Sequence, residues 1–359
     1  MNLPEGKAKF LLFPLALFYW GVLFWRNLFY TIGFFVIRRV PALTISVGNL
    51  SVGGTGKTPA VIYIARLLNS KKLKAVIVSR GYRRKSSGTR VVSDGRKIKE
   101  GWELSGDEPF LMARKLLGVP IVVDENRHRG SLYAVEKFSA DIILLDDAFQ
   151  HRSLERDIDI VLLNSNDPPE AYKLIPYGKL REPWFHLRRA DIIFWSKTNL
   201  VEPNPNIRRK VLQSNVPAYF SKMENHNQLV SVNGEEIPTR MVKGKKAFIF
   251  CGVGDPISFK RSVENTGVKI VGFKIFEDHH NYNEEELKEI LLLSDKNGAD
   301  YLITTEKDII KINNWISADI DLFSLEINFI PSKEGEIALI QLIEELLEKK
   351  KLYSPTEPL

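Results

Sequence analysis

The stretch ISVGNLSVGGTGKTPA constrains the fold of this chain more than any other feature. Residues 43–47 are apolar and predict a buried strand, a glycine-rich segment follows at 51–58, and the pattern over 59–69 predicts a helix. Glycines allow backbone N–H groups to turn toward phosphate oxygens, and the N-terminus of a helix adds a favourable dipole. A glycine-rich turn without a ligand is the alternative, but the flanking strand and helix favour a phosphate-binding loop.

The loop follows the pattern G-x-x-x-x-G-K-[ST], except that Ser51 stands at the first position. In such loops the lysine, here Lys57, reaches the β- and γ-phosphates of a nucleotide, and the hydroxyl of Thr58 binds Mg²⁺. The predicted ATP-binding residues are therefore Ser51, Val52, Gly53, Gly54, Thr55, Gly56, Lys57 and Thr58.

A second motif supplies carboxylates for the same metal ion. The sequence DIILLDDAFQH predicts an apolar strand that ends at Asp146 and Asp147, and one of the two should hold Mg²⁺, directly or through water. Guanine-specific switches carry N/T-K-x-D, whereas the most similar segment here, SKTN at 196–199, has Asn199 where the aspartate is expected. The sequence therefore favours ATP as the nucleotide.

Short apolar runs alternate with helical patterns along the first half of the chain. We predict a helix over 109–117 and strands at 43–47, 75–79, 121–124, 142–146 and 158–163. This alternation predicts an α/β fold with a doubly wound parallel sheet like that of P-loop NTPases. A second, acidic series of strands and helices begins near residue 185 and predicts a smaller α/β domain.

Residues 10–37, FLLFPLALFYWGVLFWRNLFYTIGFFVI, form the most apolar part of the chain, and eleven of these 28 residues are aromatic. The uncharged run before Arg26 has 16 residues, fewer than the roughly 20 needed to span a bilayer. Aromatic residues with basic flanks favour an interfacial or half-inserted helix, with a transmembrane span or a buried core helix as the alternatives. Because a nucleotide loop needs cytosolic ATP, the membrane face should be the cytoplasmic one.

Charge is distributed unevenly along the chain. Residues 1–100 contain eighteen Lys and Arg against three acids and carry +15, so the rest carry −8 of the net +7. A basic segment suggests an anionic partner: nucleic acid, an acidic membrane face or a phosphorylated substrate. A single cysteine, Cys251, excludes an intrachain disulfide and a zinc ribbon.

A set of motifs in chain order resembles the tetraacyldisaccharide 4'-kinase family of lipid A biosynthesis. The motifs are SVGNLSVGGTGKTP, SRGYRR (79–84), GDEP (106–109), LLDDAFQHR (144–152), LREP (180–183), EDHHNY (277–282) and TTEKD (304–308). The resemblance implies transfer of the γ-phosphoryl group of ATP to the 4'-hydroxyl of a tetraacyldisaccharide 1-phosphate, forming lipid IV-A. It places this reaction at the cytoplasmic face of the inner membrane.

The resemblance also implies an arrangement of domains with the site between the two larger ones. Residues 1–40 are predicted to form a hydrophobic, basic, membrane-associated N-terminal helix, and 41–184 a P-loop kinase core domain. Residues 185–350 are predicted to form a smaller C-terminal α/β domain, and 351–359 a frayed tail.

The motifs assign candidate catalytic residues. Asp107 of GDEP matches the family's catalytic base, and a positioned carboxylate can take the proton of a sugar hydroxyl in the transition state. A helix N-cap ahead of Pro109 is the alternative for Asp107. His279 of EDHHNY matches a family residue that meets the nucleotide site from the C-terminal domain, where it could hold Asp107 or the γ-phosphate.

Other motif residues are predicted to contact the substrate or to support groups that do: Arg80, Glu108, Arg127, Gln150, His151, Arg181 and Glu182. Arg80 lies near the carboxyl end of a predicted strand and could meet the 1-phosphate of the lipid. The segment Gly252-Val253-Gly254 lacks the third glycine of G-x-G-x-x-G, because Ile257 stands there, and we interpret it as a tight turn.

Two other functions compete with the kinase. An ATP-driven membrane switch is opposed by GDEP and by Val52, where such proteins carry a lysine before the two glycines. A nucleic-acid-binding ATPase is opposed because the aromatic residues cluster in the apolar block and do not alternate with basic ones. We predict ATP, an acylated disaccharide phosphate lipid and the inner membrane as partners, and neither nucleic acid nor a protein partner.

Overall fold

The computed structural model describes residues 12–312 and 321–353 of the chain. Its helices are α1 (Phe13–Thr31), α2 (Lys57–Ser70), α3 (Trp102–Ser105), α4 (Asp107–Lys115), α5 (Arg127–Phe138), α6 (Pro205–Leu212), α7 (Pro256–Glu264), α8 (Glu284–Lys296), α9 (Glu306–Ile312) and α10 (Lys333–Tyr353). Its strands are β1 (Leu43–Asn49), β2 (Ala75–Ser79), β3 (Arg90–Asp94), β4 (Pro120–Val123), β5 (Ile142–Asp146), β6 (Ile158–Asn164), β7 (Ile192–Ser196), β8 (Ala218–Ser231), β9 (Glu236–Pro238), β10 (Lys246–Cys251), β11 (Lys269–Ile275), β12 (Tyr301–Thr305) and β13 (Leu322–Pro331).

The described strands form one sheet in the order β11-β10-β12-β13-β8-β7-β6-β1-β5-β2-β4-β3, with β9 paired to β8. Most neighbours are parallel, and the antiparallel pairs are β3 with β4, β8 with β13, and β8 with β9. All seven residues of β1 are buried, as expected for a parallel strand covered on both faces. The prediction of a mixed α/β fold with a largely parallel sheet is confirmed.

The long strand β8 joins the two halves of this sheet, because it lies between β13 and β7. Its first residues pair parallel with β7, where Ile193 lies opposite Ala218. Its remainder runs antiparallel to β13, from Ser221 opposite Pro331 to Ser231 opposite Phe323. Neither β8 nor α5 is among the elements predicted from the sequence, because their apolar residues do not follow a clear strand or helix period. The predicted division into domains at residues 184 and 185 stays a prediction.

The apolar N-terminal block forms α1, which lies on the surface of the core. Among its residues only Leu23 and Asn27 are buried, so the interpretation as a buried core helix is wrong. Its exposed large side chains are Phe13, Leu15, Leu17, Phe18, Trp20, Val22, Phe24 and Trp25. Across residues 12–312 and 321–353, no helix is both long enough and apolar enough to cross a membrane. Residues 1–11 and the last six residues of the predicted tail lie outside the described part of the chain.

Candidate active site

Most of the predicted site residues line a cleft of about 830 Å³, and the exceptions are Ser51, Asp107 and Glu182. The cleft lies where the parallel strands β1, β2, β5, β7 and β12 end, and residues that close or follow each of these strands line it. Ligands of open α/β sheets bind at this edge, because the loops after parallel strands converge there. Segments 253–255 and 305–307 line the same cleft from the β10–β13 end of the sheet.

The phosphate loop connects β1 to the start of α2 and is fixed by backbone contacts. The N–H of Val52 donates to the carbonyl of Lys179 at 2.8 Å, so the loop pairs with the LREP segment. Gly56 has φ +84°, a left-handed conformation that favours glycine, and it directly precedes α2. Residues 52–58 line the cleft, whereas Ser51 is buried and lies beneath the lining.

Acidic side chains gather opposite the phosphate loop. Asp146 is buried at the end of β5, where its Oδ2 accepts a hydrogen bond from the Ser79 hydroxyl at 2.8 Å. Its Oδ1 is also buried and accepts no hydrogen bond from the described residues. Burial, together with the charges of Glu108 and Asp147, raises the pKa of Asp146 well above its usual range. A cation would relieve this concentration of negative charge.

The neighbouring groups fit a hard divalent cation. Asp147 lies 3.6 Å from the Lys57 ammonium and accepts two hydrogen bonds from Arg181, each at 2.9 Å. The hydroxyl of Thr58 contacts Glu108 Oε1 at 3.2 Å. Thr58, Asp146 and Asp147 therefore offer the hydroxyl and carboxylate oxygens that Mg²⁺ prefers, and Asp146 Oδ1 has capacity for a further partner.

Asp107 and His279 form a hydrogen-bonded pair although 172 positions separate them in the chain. His279 Nδ1 lies 2.7 Å from Asp107 Oδ2, and His279 lines the cleft. Asp107 is the first residue of α4, its carboxylate is only 6% exposed, and it is not among the described residues that line the cleft. The predicted alternative of an N-cap fails, because Gly106 occupies the cap position.

Two lysines of α9 contact Asp107 and the next residue, Glu108. Lys307 forms an ion pair with Glu108, and Lys311 Nζ lies 2.9 Å from Asp107 Oδ2. Burial alone would raise the pKa of Asp107, but the hydrogen bond from His279 and the charges of Lys307 and Lys311 hold it well below its usual range. Asp107 is therefore ionised at physiological pH.

Four further predicted residues line the cleft: Arg80, Arg127, Gln150 and His151. Gln150 donates to the backbone carbonyl at the end of β1 at 2.8 Å, and Arg127 donates to the carbonyl of Asp146 at 3.3 Å. Burial, followed by the charges of nearby arginines, lowers the pKa of His151 to about 4. His151 therefore presents a neutral imidazole.

Arg181 and Glu182 have different surroundings although they are adjacent. Arg181 lines the cleft and holds Asp147, as described above. Glu182 is completely buried and does not line the cleft; it forms ion pairs with Arg26 of α1 and with Arg189. The hydroxyl of Tyr19 in α1 donates to the carbonyl of Arg181 at 2.9 Å. The LREP segment therefore connects the N-terminal helix to the phosphate loop.

Sequence reasoning missed two features of this site. Lys311 carried no signal except its spacing, four residues after Lys307, which places both lysines on one helical face. The segment at Gly254 packs against the phosphate loop: a Cβ added there would lie 3.1 Å from the nitrogen of Gly54. Asp255 follows it, caps α7 and forms an ion pair with Lys197. The tight turn predicted at 252–254 is thus a wall of the cleft.

Comparisons with known proteins agree with this geometry. Residues 8–346 match the family model described as tetraacyldisaccharide-1-P 4'-kinase. The chain belongs to the tetraacyldisaccharide 4'-kinase family. The match confirms the resemblance predicted from the motifs.

Individual relatives match over nearly the whole chain. The tetraacyldisaccharide 4'-kinase of Aquifex aeolicus is 39% identical over 92% of this chain and 97% of its own length. That of Desulfotalea psychrophila is 38% identical over 87% of this chain and 90% of its own. A crystal structure of the "apo" form of LpxK from Aquifex aeolicus in complex with ATP has a TM-score of 0.75 and 35% identity. The match covers 94% of this chain and 99% of the LpxK chain.

Proposed function

We propose that this chain transfers the γ-phosphoryl group of ATP to the 4'-hydroxyl of a tetraacyldisaccharide 1-phosphate and so forms lipid IV-A. The observation that carries the proposal is one cleft lined by the phosphate loop, by the acidic pair at 146–147 and by His279, which bonds with Asp107. Membership of the kinase family and the ATP complex of LpxK support the same reaction. Neither an ATP-driven switch nor a nucleic-acid-binding ATPase is favoured by these matches.

In the proposed reaction, a P-loop NTPase-like core holds the nucleotide. Backbone N–H groups of the loop residues that face the cleft and the Lys57 ammonium are proposed to bind the phosphates, and the N-terminus of α2 adds its dipole. Mg²⁺ neutralises charge on the phosphates when it is bound. Thr58, Asp146 and Asp147 are the residues that would hold it. Arg80, Arg127, Gln150, His151 and Arg181 line the remaining cleft and are proposed to orient the substrate or these groups.

The acceptor hydroxyl needs a base, because a sugar hydroxyl is a poor nucleophile. Asp107 is proposed to take its proton as the bond to the γ-phosphorus forms and the bond to the leaving ADP oxygen breaks. His279 bonds with this carboxylate and lines the cleft, and it is proposed to hold the carboxylate in one orientation. Glu108 contacts Thr58 and Lys307, which suits a role in supporting the metal ligands.

We further propose that the protein binds the cytoplasmic face of the inner membrane through α1, without spanning it. The exposed aromatic face of this helix supports the proposal, because aromatic side chains favour the lipid–water interface. Tyr19 and Arg26 of α1 also line the cleft, so the helix lies beside the site where a lipid acceptor would enter. A P-loop domain at 41–184 and a C-terminal domain at 185–350 remain our proposed division.

The direct test is a transfer assay. Detergent-purified protein is incubated with γ-labelled ATP, Mg²⁺ and tetraacyldisaccharide 1-phosphate, and label is followed into the lipid. We expect labelled lipid that disappears when Mg²⁺ is chelated. Labelled inorganic phosphate without labelled lipid would instead favour an ATPase or switch.

Replacing the base tests the mechanism in the same assay. We expect Asp107→Asn to lower turnover by at least about 10²-fold, the low end for loss of a general base. Binding of ATP should persist, because Asp107 does not contact the phosphate loop in the described structure. Turnover equal to that of the wild-type protein would show that Asp107 is not the base.

A further inference from the structure

We propose that Lys311 is a positioning residue that fixes the Asp107–His279 pair for phosphoryl transfer. This inference rests on the function proposed above and adds a group that the sequence motifs do not include. Lys311 lies on α9, its side chain is only 2% exposed, and its Nζ is 2.9 Å from Asp107 Oδ2. A lysine that is buried to this extent is rare without a specific partner.

The lysine places a second cationic side chain beside one carboxylate oxygen of Asp107. Asp107 Oδ2 has His279 Nδ1 at 2.7 Å and Lys311 Nζ at 2.9 Å, while Oδ1 accepts the backbone N–H of Glu108 at 2.8 Å. Oδ2 therefore lies between an imidazole that bonds with it and an ammonium group that forms an ion pair with it. Rotation of the carboxylate would break the hydrogen bond with His279 or with the Glu108 N–H and would move Oδ2 away from the Lys311 ammonium.

The Lys311 ammonium also supports the backbone next to His279, the hydrogen-bond partner of Asp107. Lys311 Nζ donates to the carbonyl of His280 at 3.1 Å, one residue after His279. His279 has φ +61°, a left-handed conformation that is costly for a residue other than glycine and needs support from its surroundings. Lys311 therefore joins the carboxylate of α4 to the backbone that presents the imidazole.

The chain contains a matched control for this lysine. Lys115, at the far end of α4, forms an ion pair with Glu306 of α9 and is only 11% exposed. It therefore connects the same two helices through a buried charge, but it is not among the described residues that line the cleft. Removing Lys115 reproduces the loss of packing and charge without touching Asp107 or His279.

The experiment compares Lys311→Met, Lys311→Arg and Lys115→Met in the transfer assay, together with their melting temperatures. We expect Lys311→Met to lower kcat about 10²-fold, the loss typical of a misplaced catalytic group. The KM for ATP should change less than about threefold, because a group acting only on the chemical step leaves ground-state binding intact. Lys311→Arg keeps a charged donor and should recover at least about tenfold of the lost kcat. Lys115→Met should lower the melting temperature but leave kcat within about threefold of wild type.

A double variant shows whether Lys311 acts through Asp107. Asp107→Asn with Lys311→Met removes both buried charges, so it leaves no unpaired ion to prevent folding. We expect its kcat to equal that of Asp107→Asn alone, because residues that act as a unit are not additive. A further loss in the double variant, or a Lys311→Met kcat no lower than that of Lys115→Met, would overturn the inference while the proposed function stands. A wild-type protein that labels no lipid would overturn both.

Discussion

At the scale of single residues, the candidate site is a set of buried and half-buried charges that neutralise one another. Asp107 faces His279, Lys307 and Lys311, and Asp147 faces Lys57 and Arg181. Buried ions are tolerated when each has a partner, and removal of one partner leaves the other exposed to the full cost of desolvation. Asp146 differs from these paired groups, because its Oδ1 has no hydrogen-bond partner among the described residues.

The Asp107–His279 hydrogen bond predicts a change in the pH dependence of turnover. His279→Gln weakens a contact that holds the pKa of Asp107 below its usual range, so that pKa should rise. A base works only when it is deprotonated, so the acidic limb of the kcat profile should move to higher pH. In the wild-type protein this limb should lie below about pH 4, the ordinary pKa of aspartate. The measurement is kcat at saturating ATP across a pH series.

His280→Gln is the matched control for this experiment. His280 is the next residue, but its imidazole bonds with Glu286 at 3.0 Å and not with Asp107. We expect its acidic limb to coincide with that of wild type. A limb that stays in place in His279→Gln, or that moves equally in both variants, would contradict the assignment.

At the scale of elements, the phosphate loop depends on backbone conformations that its glycine positions predict. Glycines stand where φ is positive: Gly53 has φ +113° and Gly56 has φ +84°. The residues after the loop begin α2, and the first residues of this helix line the cleft. A strand, a glycine-rich turn and a helix in succession can therefore be identified from sequence alone.

Gly56→Ala should damage this element specifically. An added Cβ would lie 2.1 Å from Met223 Cε and would carry the strain of a positive φ, roughly 1–3 kcal/mol. We expect the KM for ATP to rise at least about tenfold, because about 1.4 kcal/mol of lost phosphate binding corresponds to that factor. The stabilisation by ATP in a thermal unfolding experiment should shrink accordingly.

Gly234→Ala is the control for backbone strain at a position outside the phosphate loop. Gly234 also has φ +84°, but no atom lies within 4 Å of an added Cβ. It should lower the melting temperature while the KM for ATP stays at the wild-type value. An equal rise in KM in both variants would mean that strain anywhere in the chain, and not the loop itself, weakens ATP binding.

At the scale of the whole molecule, the cleft and the N-terminal helix meet. The helix α1 contacts the LREP segment through Tyr19 and Arg26, and Leu180 of the same segment pairs with Ser51 of the phosphate loop. In the proposed reaction, the lipid acceptor would have its acyl chains in a membrane and its sugar in the cleft. An apolar helix beside the cleft therefore suits a protein that works at a bilayer surface.

Introducing charges on the exposed face of α1 should weaken membrane binding without affecting the phosphoryl-transfer step. Phe18 is 73% exposed and Trp25 is 56% exposed, and we expect Phe18→Glu with Trp25→Glu to reduce co-sedimentation with vesicles of zwitterionic and anionic phospholipids. Turnover with lipid presented in those vesicles should fall about tenfold or more, since each buried aromatic side chain contributes more than 1 kcal/mol. Turnover with a detergent-dispersed acceptor should fall much less.

Leu212→Glu is the control for this surface. Leu212 is 66% exposed at the end of α6, outside the α1 surface, so a charge there should leave co-sedimentation unchanged. If the α1 variant binds vesicles as tightly as wild type, the helix is not the membrane-binding element.

The sequence alone determined those features whose physics is local. The phosphate loop, the apolar strands and the acid pair at 146–147 follow from residue spacing, since glycine conformation and strand burial act over a few residues. The family motifs then assigned Asp107 and His279, but not the distance between them. Only the tertiary structure decided which side chains meet: it placed Lys311 on Asp107, Gly254 on the phosphate loop, and Glu182 away from the cleft against α1. Those contacts join residues far apart in the chain, and side-chain periodicity carries no information about them, because it reports which face of an element is buried and not what it is buried against.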